Sequence, residues 1–165
     1  MKSRAIEQNA VPSININRNE GIRLLINDDP NRVITFNPKD VNFTQKFYSL
    51  LDFLEVKQKE YEEKAKAAEA NTGIRKVEAN GETIEIPSKI ENIMHLVSDI
   101  CDELNGEIDK IFGEGTSWIL FEGAKIFNDE NNQYIQFFEG ITPFIGEARK
   151  DIKEKYKSTS KALKK

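Results

Sequence analysis

The chain has 165 residues, of which 38% are hydrophobic and 32% charged, and its formal net charge at pH 7 is -4. That is the length of one ordinary domain, and the composition predicts a modest core beneath a large polar surface. A single cysteine excludes an internal disulfide, and no apolar run approaches the roughly 18 residues that a membrane-spanning helix needs. Because the N-terminus also has no apolar run resembling a signal peptide, we expect a cytoplasmic protein with no membrane partner.

Charge is distributed unevenly along the chain. Residues 149–165 carry eight basic and two acidic side chains, a net of +6, so the other 148 residues have a net charge of -10. An acidic body repels the nucleic-acid backbone, so nucleic acid is not expected as a main partner. The basic segment has only Tyr156 to stack on a base, and it is predicted to be a solubilising tail.

The N-terminal part predicts an arm followed by a hairpin. Residues 1–20 are expected to form a flexible arm, with at most one short strand around Ile14 to Asn17. Two β-prone runs follow, Ile22 to Asn27 and Arg32 to Phe36. The four residues between them, Asp28 to Asn31, predict a turn because they favour turns and because the proline cannot donate to a strand ladder.

A long helix is predicted to open at Asn37-Pro38-Lys39-Asp40, with Asn37 as the N-cap and the proline at the first helical position. Apolar residues then recur at three- and four-residue spacing: Phe43, Phe47, Leu50, Leu51 and Leu54. Beyond Glu55 the residues are mainly Lys, Glu and Ala, with Tyr61 as one large exception. This second half is therefore predicted to project into solvent.

A second hairpin and the central helix come next. The runs Ile74 to Ala79 and Glu82 to Ile86 flank Asn80-Gly81, the dipeptide most favoured in a type I′ turn. Ser88 and Glu91 form a capping-box pattern before the longest apolar periodicity of the chain. The residues of that predicted core face are Ile90, Ile93, Met94, Val97, Ile100, Cys101, Leu104, Ile108, Ile111 and Phe112.

Two more helices are predicted in the C-terminal third. Gly113-Glu114-Gly115 should end the central helix, and Thr116 or Ser117 should cap a short apolar helix that ends at Gly123. A last helical stripe runs from Tyr134 to Ile152.

Together these elements predict a mainly α (α+β) fold, a helical bundle of three to four helices with two short β-hairpins. The expected organisation is a flexible arm at 1–20, one domain at 21–156 and a frayed basic tail at 157–165. No internal repeat or low-complexity linker divides the chain.

The residues that most often carry chemistry have simpler interpretations here. His95 is the one histidine, and Glu91 and Asp99, each four residues away, are too few additional ligands for a metal site. Cys101 falls within an apolar helical pattern, which favours a buried small hydrophobe over a nucleophile.

Other polar clusters are equally unspecific. Glu103, Glu107 and Asp109 indicate a solvated helix face unless a cleft surrounds them. The loop Gly113 to Thr116 lacks the lysine of a phosphate-binding loop and follows a helix instead of a strand. We therefore predict no catalytic residue, no metal, no cofactor and no enzymatic activity.

Aromatic residues are concentrated in the C-terminal third, where core packing is their first interpretation: Trp118, Phe121, Phe127, Phe137, Phe138 and Phe144. A small domain has difficulty covering so many rings, and exposed aromatic surface is typical of protein-binding patches. As a hypothesis, the protein-binding surface combines Trp118, Phe121, Phe137 and Phe144.

Four segments of the sequence, taken in their order along the chain, carry a resemblance to a known protein family. They are Val33-Ile34-Thr35-Phe36-Asn37-Pro38, Asp40-Val41-Asn42-Phe43, Asp109 to Ser117 and Phe137 to Ile145. Over roughly residues 22 to 156, the chain resembles the tail assembly chaperones of long-tailed bacteriophages, particularly those of Gram-positive hosts.

The resemblance implies a non-catalytic role in the host cytoplasm. Such a chaperone binds the tape measure protein, keeps it soluble and helps to recruit tail tube subunits during virion morphogenesis; self-association is a further expectation. Two alternatives stay open. One is a structural tail or head-completion protein retained in the virion, and the other is a small acidic inhibitor of a host defence protein.

Overall fold

The computed structural model describes residues 13–16, 21–127 and 132–162, with side chains described as far as Lys150. Within these ranges it contains four helices and two antiparallel hairpins, which confirms the mainly α (α+β) fold. The elements in chain order are β1 (Ile22–Ile26), β2 (Asp29–Phe36), α1 (Val41–Glu69), β3 (Ile74–Ala79), β4 (Glu82–Pro87), α2 (Ser88–Phe112), α3 (Thr116–Phe121) and α4 (Gln133–Ala162).

The first hairpin turns earlier than predicted. Asn27 and Asp28 connect β1 to β2, and both have left-handed backbone angles, with φ of 54° and 58°. Two such residues form a type I′ turn, whose twist matches that of the paired strands. The predicted four-residue turn at Asp28 to Asn31 was therefore wrong.

The residues assigned to that turn instead form a bulge in β2. Asp29 pairs with Ile26 and Val33 pairs with Leu25, so the three residues between Asp29 and Val33 have no counterpart on β1. Pro30 lies in this bulge, where a residue does not have to donate a backbone hydrogen bond to the neighbouring strand. This is why a proline is tolerated inside β2.

Helix α1 also begins later than predicted. The carboxylate of Asp40 accepts a hydrogen bond from the Asn42 backbone N–H at 2.9 Å and caps the helix. The side chain of Asn37, the predicted N-cap, accepts from the Lys39 N–H at 3.0 Å and forms a turn before the helix. The prediction failed because two residues with capping side chains lie three positions apart.

The second half of α1 does not stand alone in solvent as predicted. Val56 is exposed, but the Tyr61 hydroxyl donates to Glu103 of α2, and Ala68 is buried. Lys57 Nζ also lies 3.2 Å from Glu103 Oε1. A face without large apolar residues therefore still packs along α2, through polar pairs and small side chains.

Helix α2 continues directly from β4. The Ser88 N–H donates to the Gly73 carbonyl at 2.8 Å, and the N-cap residue, Pro87, supplies no side-chain cap. Glu91 pairs with Arg75 of β3, with Arg75 Nε donating to Oε2 at 3.1 Å. The predicted capping box was therefore wrong, because the hairpin supplies the partners that the box would have used.

The core surrounds the C-terminal half of α2. Ile100, Cys101, Leu104 and Ile108 are buried there, beneath α3, α4 and the first hairpin. Ile90 and Met94 near the other end are exposed, which corrects the expectation of a core face along the whole helix. This end lies beside the second hairpin, where Arg75 of β3 pairs with Glu91 of α2.

Helix α3 is capped by a residue outside it. Asp109 of α2 accepts from the Ser117 backbone N–H at 2.7 Å and from the Ser117 hydroxyl at 3.1 Å. The N-cap position is Gly115, and Thr116 is buried, so the predicted cap by Thr116 or Ser117 was wrong. A carboxylate near the start of α3 also complements the helix dipole.

The two ends of the described chain can be compared with the predicted N-terminal arm and C-terminal tail. Residues 13–16 form no strand, and the rest of the predicted arm lies outside the described residues. Helix α4 continues through Pro143 as far as Ala162, beyond residue 156, where the domain was predicted to end. Near its start, the Tyr134 hydroxyl lies 3.0 Å from Asn105 Oδ1 and 3.4 Å from the Cys101 carbonyl oxygen, which ties α4 to α2.

Candidate protein-binding site

The four aromatic residues assigned to a binding surface lie in different environments. Trp118 is 66% exposed, whereas Phe121 and Phe137 are 7% and 9% exposed and Phe144 is partly buried. They therefore do not form one continuous exposed surface in this conformation. Their role in protein binding stays a prediction, for which Trp118 is the accessible member.

The other three rings pack against neighbouring aromatic residues in the core. The Phe121 ring lies 4.6 Å from that of Tyr134, and the Phe137 ring lies 5.3 Å from that of Phe112, centroid to centroid. Phe144 meets Phe36 edge-on at 6.5 Å. Such offset and edge-to-face pairs add favourable quadrupole contacts to the burial of each ring, so the core takes up most of the cluster.

Beside this aromatic core an apolar groove of about 560 Å³ is open to solvent. It lies between β1 and α4, and residues near the end of α3 form part of its floor. Its lining residues are Leu24, Leu25, Ile26, Asn27, Ile34, Leu120, Phe121, Ile126, Gln133, Gln136, Phe137, Gly140 and Ile141. Phe121 and Phe137 of the hypothesised surface thus contribute to the groove wall, although little of either ring reaches solvent.

The groove meets β1 along its backbone edge. Leu24, Leu25 and Ile26 are consecutive in β1, yet all three line it, and Asn27 of the following turn does so as well. Successive side chains of a strand point to opposite faces, so consecutive lining residues mean that the groove approaches the strand from the side. Among the described residues β1 pairs with β2 alone, which leaves its other edge without a partner strand.

The opposite wall has space as well as apolar surface. Gly140 of α4 lines the groove, and a Cβ added at this position would meet nothing within 4 Å. Gln133 and Gln136 bring amide groups to the same wall. The groove therefore offers an apolar floor, a strand edge with hydrogen-bonding groups and a polar margin, the elements that an extended peptide requires.

Reasoning from the sequence missed the β1 residues of this site. Leu24, Leu25 and Ile26 interrupt the alternation expected of a half-buried strand, because Leu25 places an apolar side chain on the solvent face. Such an interruption signals a strand used on both faces or at its edge. It was the one sequence feature that could have indicated the groove.

Exposed apolar side chains also occur on the second hairpin and the first turns of α2. They are Ile74, Ile84, Ile90 and Met94. The Arg75–Glu91 pair joins β3 to α2 in the same region. This region has exposed side chains without a groove, so it is the weaker candidate for specific binding.

The carboxylates considered for acid–base chemistry make structural contacts. Hydrogen bonding from Tyr61 and Lys57 lowers the pKa of Glu103, Glu107 pairs with Lys110 at 2.5 Å, and Asp109 caps α3. Burial raises the pKa of the Cys101 thiol, which keeps it protonated. Among residues 13–16, 21–127 and 132–162, no three His, Cys, Asp or Glu side chains are grouped so that they could hold a metal ion.

No protein-family model matches the chain, and no curated protein or solved structure matches it either. In the part of the chain that the structure describes, no helix is long and apolar enough to cross a membrane.

Proposed function

We propose that this chain is a non-catalytic tail assembly chaperone of a long-tailed phage, which binds the tape measure protein and tail tube subunits during tail morphogenesis. The class of client comes from the sequence resemblance described above. The mode of binding comes from the groove between β1 and α4. In this proposal an apolar client segment lies extended in the groove, and Trp118 provides apolar contact on the adjacent surface.

The observation that carries the proposal is the unpaired edge of β1 beside an apolar floor. A strand edge supplies backbone donors and acceptors that any extended segment can satisfy, whatever its sequence. Apolar lining residues such as Leu24 and Ile126 then favour segments that would otherwise aggregate. This combination gives broad binding to apolar segments, which is the property that a chaperone of an aggregation-prone client needs.

The charge distribution supports the same function. Outside residues 149–165 the chain has a net charge of -10, so a complex that buries apolar surface keeps a strongly charged exterior. High net charge opposes further association and favours solubility. In this proposal the apolar groove binds the client, and the surrounding charged side chains keep the complex soluble.

The test is co-expression of the full chain with the tape measure protein of the same phage, scoring the soluble fraction of the client and its co-purification. We expect most of the client to be soluble only when the chain is present. Gly140→Phe should abolish the rescue, because its ring would occupy the groove, where the structure shows free space. Trp118→Ala should weaken the complex without removing it.

Gly146→Phe is the matched control. Gly146 lies on the same helix, also has open space around its Cβ position, and does not line the groove. Both substitutions therefore place the same ring on α4, and only one fills the groove. An insoluble client in every case would contradict the chaperone function, and equal rescue by both variants would contradict the groove as the site.

A further inference from the structure

The groove has a candidate occupant within the chain itself. We propose that the N-terminal segment Ser13–Ile16 adds to the free edge of β1 as a third antiparallel strand and, when no client is bound, occupies the part of the groove beside Leu24 and Leu25. In the conformation described here the segment is undocked, with Ile14 and Ile16 exposed at 86% and 79%. Because burying apolar surface is favourable, two isoleucine side chains at such exposure favour a second conformation in which the segment is docked.

One register satisfies both the chain connection and the side-chain pattern. If Ile16 stands opposite Ile22, then Asn15 stands opposite Arg23 and Ile14 opposite Leu24. Residues directly opposite each other in an antiparallel pair share a face. Ile22 and Leu24 lie on the partly buried face of β1, whereas Arg23 is exposed. The register therefore directs Ile14 and Ile16 inward and Asn15 toward solvent.

The connection required by this register has the length and composition of a hairpin loop. It consists of the five residues Asn17-Arg18-Asn19-Glu20-Gly21. Hairpin loops of up to five residues are common, and Asn and Gly are their favoured residues. Gly21 already has a left-handed φ of 77°, a conformation that such loops often need beside the strand.

The facing wall accommodates the added side chains. Gly140 leaves room in the groove, and Phe137 and Ile141 offer apolar contact beside it. In this register the segment pairs with four residues of β1, Ile22 to Leu25, and a strand of four residues is short enough to be displaced.

Docking of the segment needs only this chain, whereas its consequence for clients rests on the proposed function. A client that binds the same strand edge must displace Ser13–Ile16, so the segment weakens binding of poorly matched clients. It also covers the strand edge of the free protein, which would otherwise be open to aggregation.

The first test is a disulfide between Asn15→Cys and Arg23→Cys in the full chain. Opposite residues in an antiparallel pair have Cα atoms roughly 4.5 to 5.5 Å apart, within the range of a disulfide. We expect oxidation to give a monomeric cross-linked product, identified by its mobility without reductant and by mass spectrometry. Cys101 is retained, because it is fully buried.

The matched control is Asn15→Cys with Thr35→Cys. Thr35 is the partner of Arg23 on β2, so it lies one strand farther from the docked segment on the same exposed face. Two strand spacings are roughly 9.5 Å, beyond the reach of an unstrained disulfide. Equal cross-linking of both pairs would show an undirected arm and overturn the proposal, as would products that are only dimers, which would place the segment on a second copy.

A second test requires no cysteine. Backbone amide exchange of β1 should be slowed by docking, and Ile14→Ser with Ile16→Ser should accelerate it about tenfold while leaving the amides of α2 unchanged. Unchanged exchange in β1 would overturn the proposal. Because both tests use the chain without a client, failure of client rescue with a docked segment would reject the chaperone function alone.

Discussion

Arg32, in the bulge of β2, donates from Nη2 to the carbonyl oxygen of Leu120 at the end of α3, at a distance of 2.6 Å. Its Nε donates to the Ile119 carbonyl at 2.9 Å, and Nη1 lies 3.2 Å from a carboxylate oxygen of Glu122. A six-residue helix is too short to be stable alone, and a cation at its C-terminal carbonyls satisfies them and complements the dipole. The bulge thus fixes α3 against the first hairpin.

We expect Arg32→Ala to lower the free energy of unfolding by about 2 kcal/mol, because hydrogen bonds to a charged group are lost at a mostly buried position. Arg32→Lys should lose less stability than Arg32→Ala, because lysine keeps the charge but lacks the planar guanidinium group. Urea denaturation measures both. Arg23→Ala is the control, an exposed arginine of β1 whose loss should change stability by less than about 0.5 kcal/mol. Similar losses at the two positions would contradict the role assigned to Arg32.

Tyr134→Phe should lower the free energy of unfolding by about 1 kcal/mol, because it removes the hydroxyl contacts to Asn105 and the Cys101 carbonyl and keeps the ring. Thermal unfolding checks the change. Tyr48→Phe is the comparison, since its hydroxyl accepts a hydrogen bond from Arg149 at an exposed site. A smaller loss at Tyr134 than at Tyr48 would show that the hydroxyl does not tie α4 to α2.

Acid should weaken the ion pairs along α1, through Glu60, and the contact of α1 with α2, through Glu103. Hydrogen bonds from Lys64 and Lys57 lower the pKa of Glu60 from 4.5 to about 2, and Tyr61 with Lys57 lowers the pKa of Glu103. A lowered folded-state pKa stabilises the protein above pH 4.5, and this stabilisation is lost as the pH falls toward 2. We expect Glu103→Gln to be less stable than the parent at pH 7, and we expect the difference to shrink in urea titrations as the pH falls below 4.5, because the pKa of Glu103 in the folded state is lowered. A stability difference that is independent of pH would show that the ionised carboxylate of Glu103 is not what stabilises the contact.

Gly123→Ala should destabilise the chain by about 1 to 3 kcal/mol, because Gly123 has a φ of 78° and the added Cβ would lie 2.8 Å from Cζ3 of Trp118. Trp118 is the single tryptophan, so its fluorescence reports whether the ring is displaced. Gly146→Ala, inside α4 and with open space, should instead stabilise by up to about 1 kcal/mol. Unchanged emission and stability in Gly123→Ala would mean that this contact does not hold the Trp118 ring in place.

The features that sequence reasoning predicted correctly depend on neighbours in the chain. Asn80-Gly81 determined the second hairpin because its turn geometry is local, with left-handed φ of 54° and 82°. The spacing of Ile100, Leu104 and Ile108 identified the buried face of α2 for the same reason.

The features that it missed depend on residues distant in the chain. Asp109 was assigned to a solvated helix face, yet it caps a different helix, because the break at Gly113 to Gly115 returns the chain toward it. The groove arises from β1 and α4, which are more than 100 residues apart, so no local pattern could define it. Trp118 and Phe121 are three residues apart, and only the packing of α4 determines which one is buried.

The bulge in β2 makes the first hairpin a one-sided template. On the β2 side, three unmatched residues interrupt the regular spacing of backbone groups, and α3 packs against the strand. On the β1 side the spacing is regular as far as Leu25. A sheet with two regular edges can pair with further strands on both sides, whereas this hairpin offers a regular edge on the β1 side. Strand addition to the first hairpin is therefore directed to β1, and the bulge with α3 protects β2 from the same pairing.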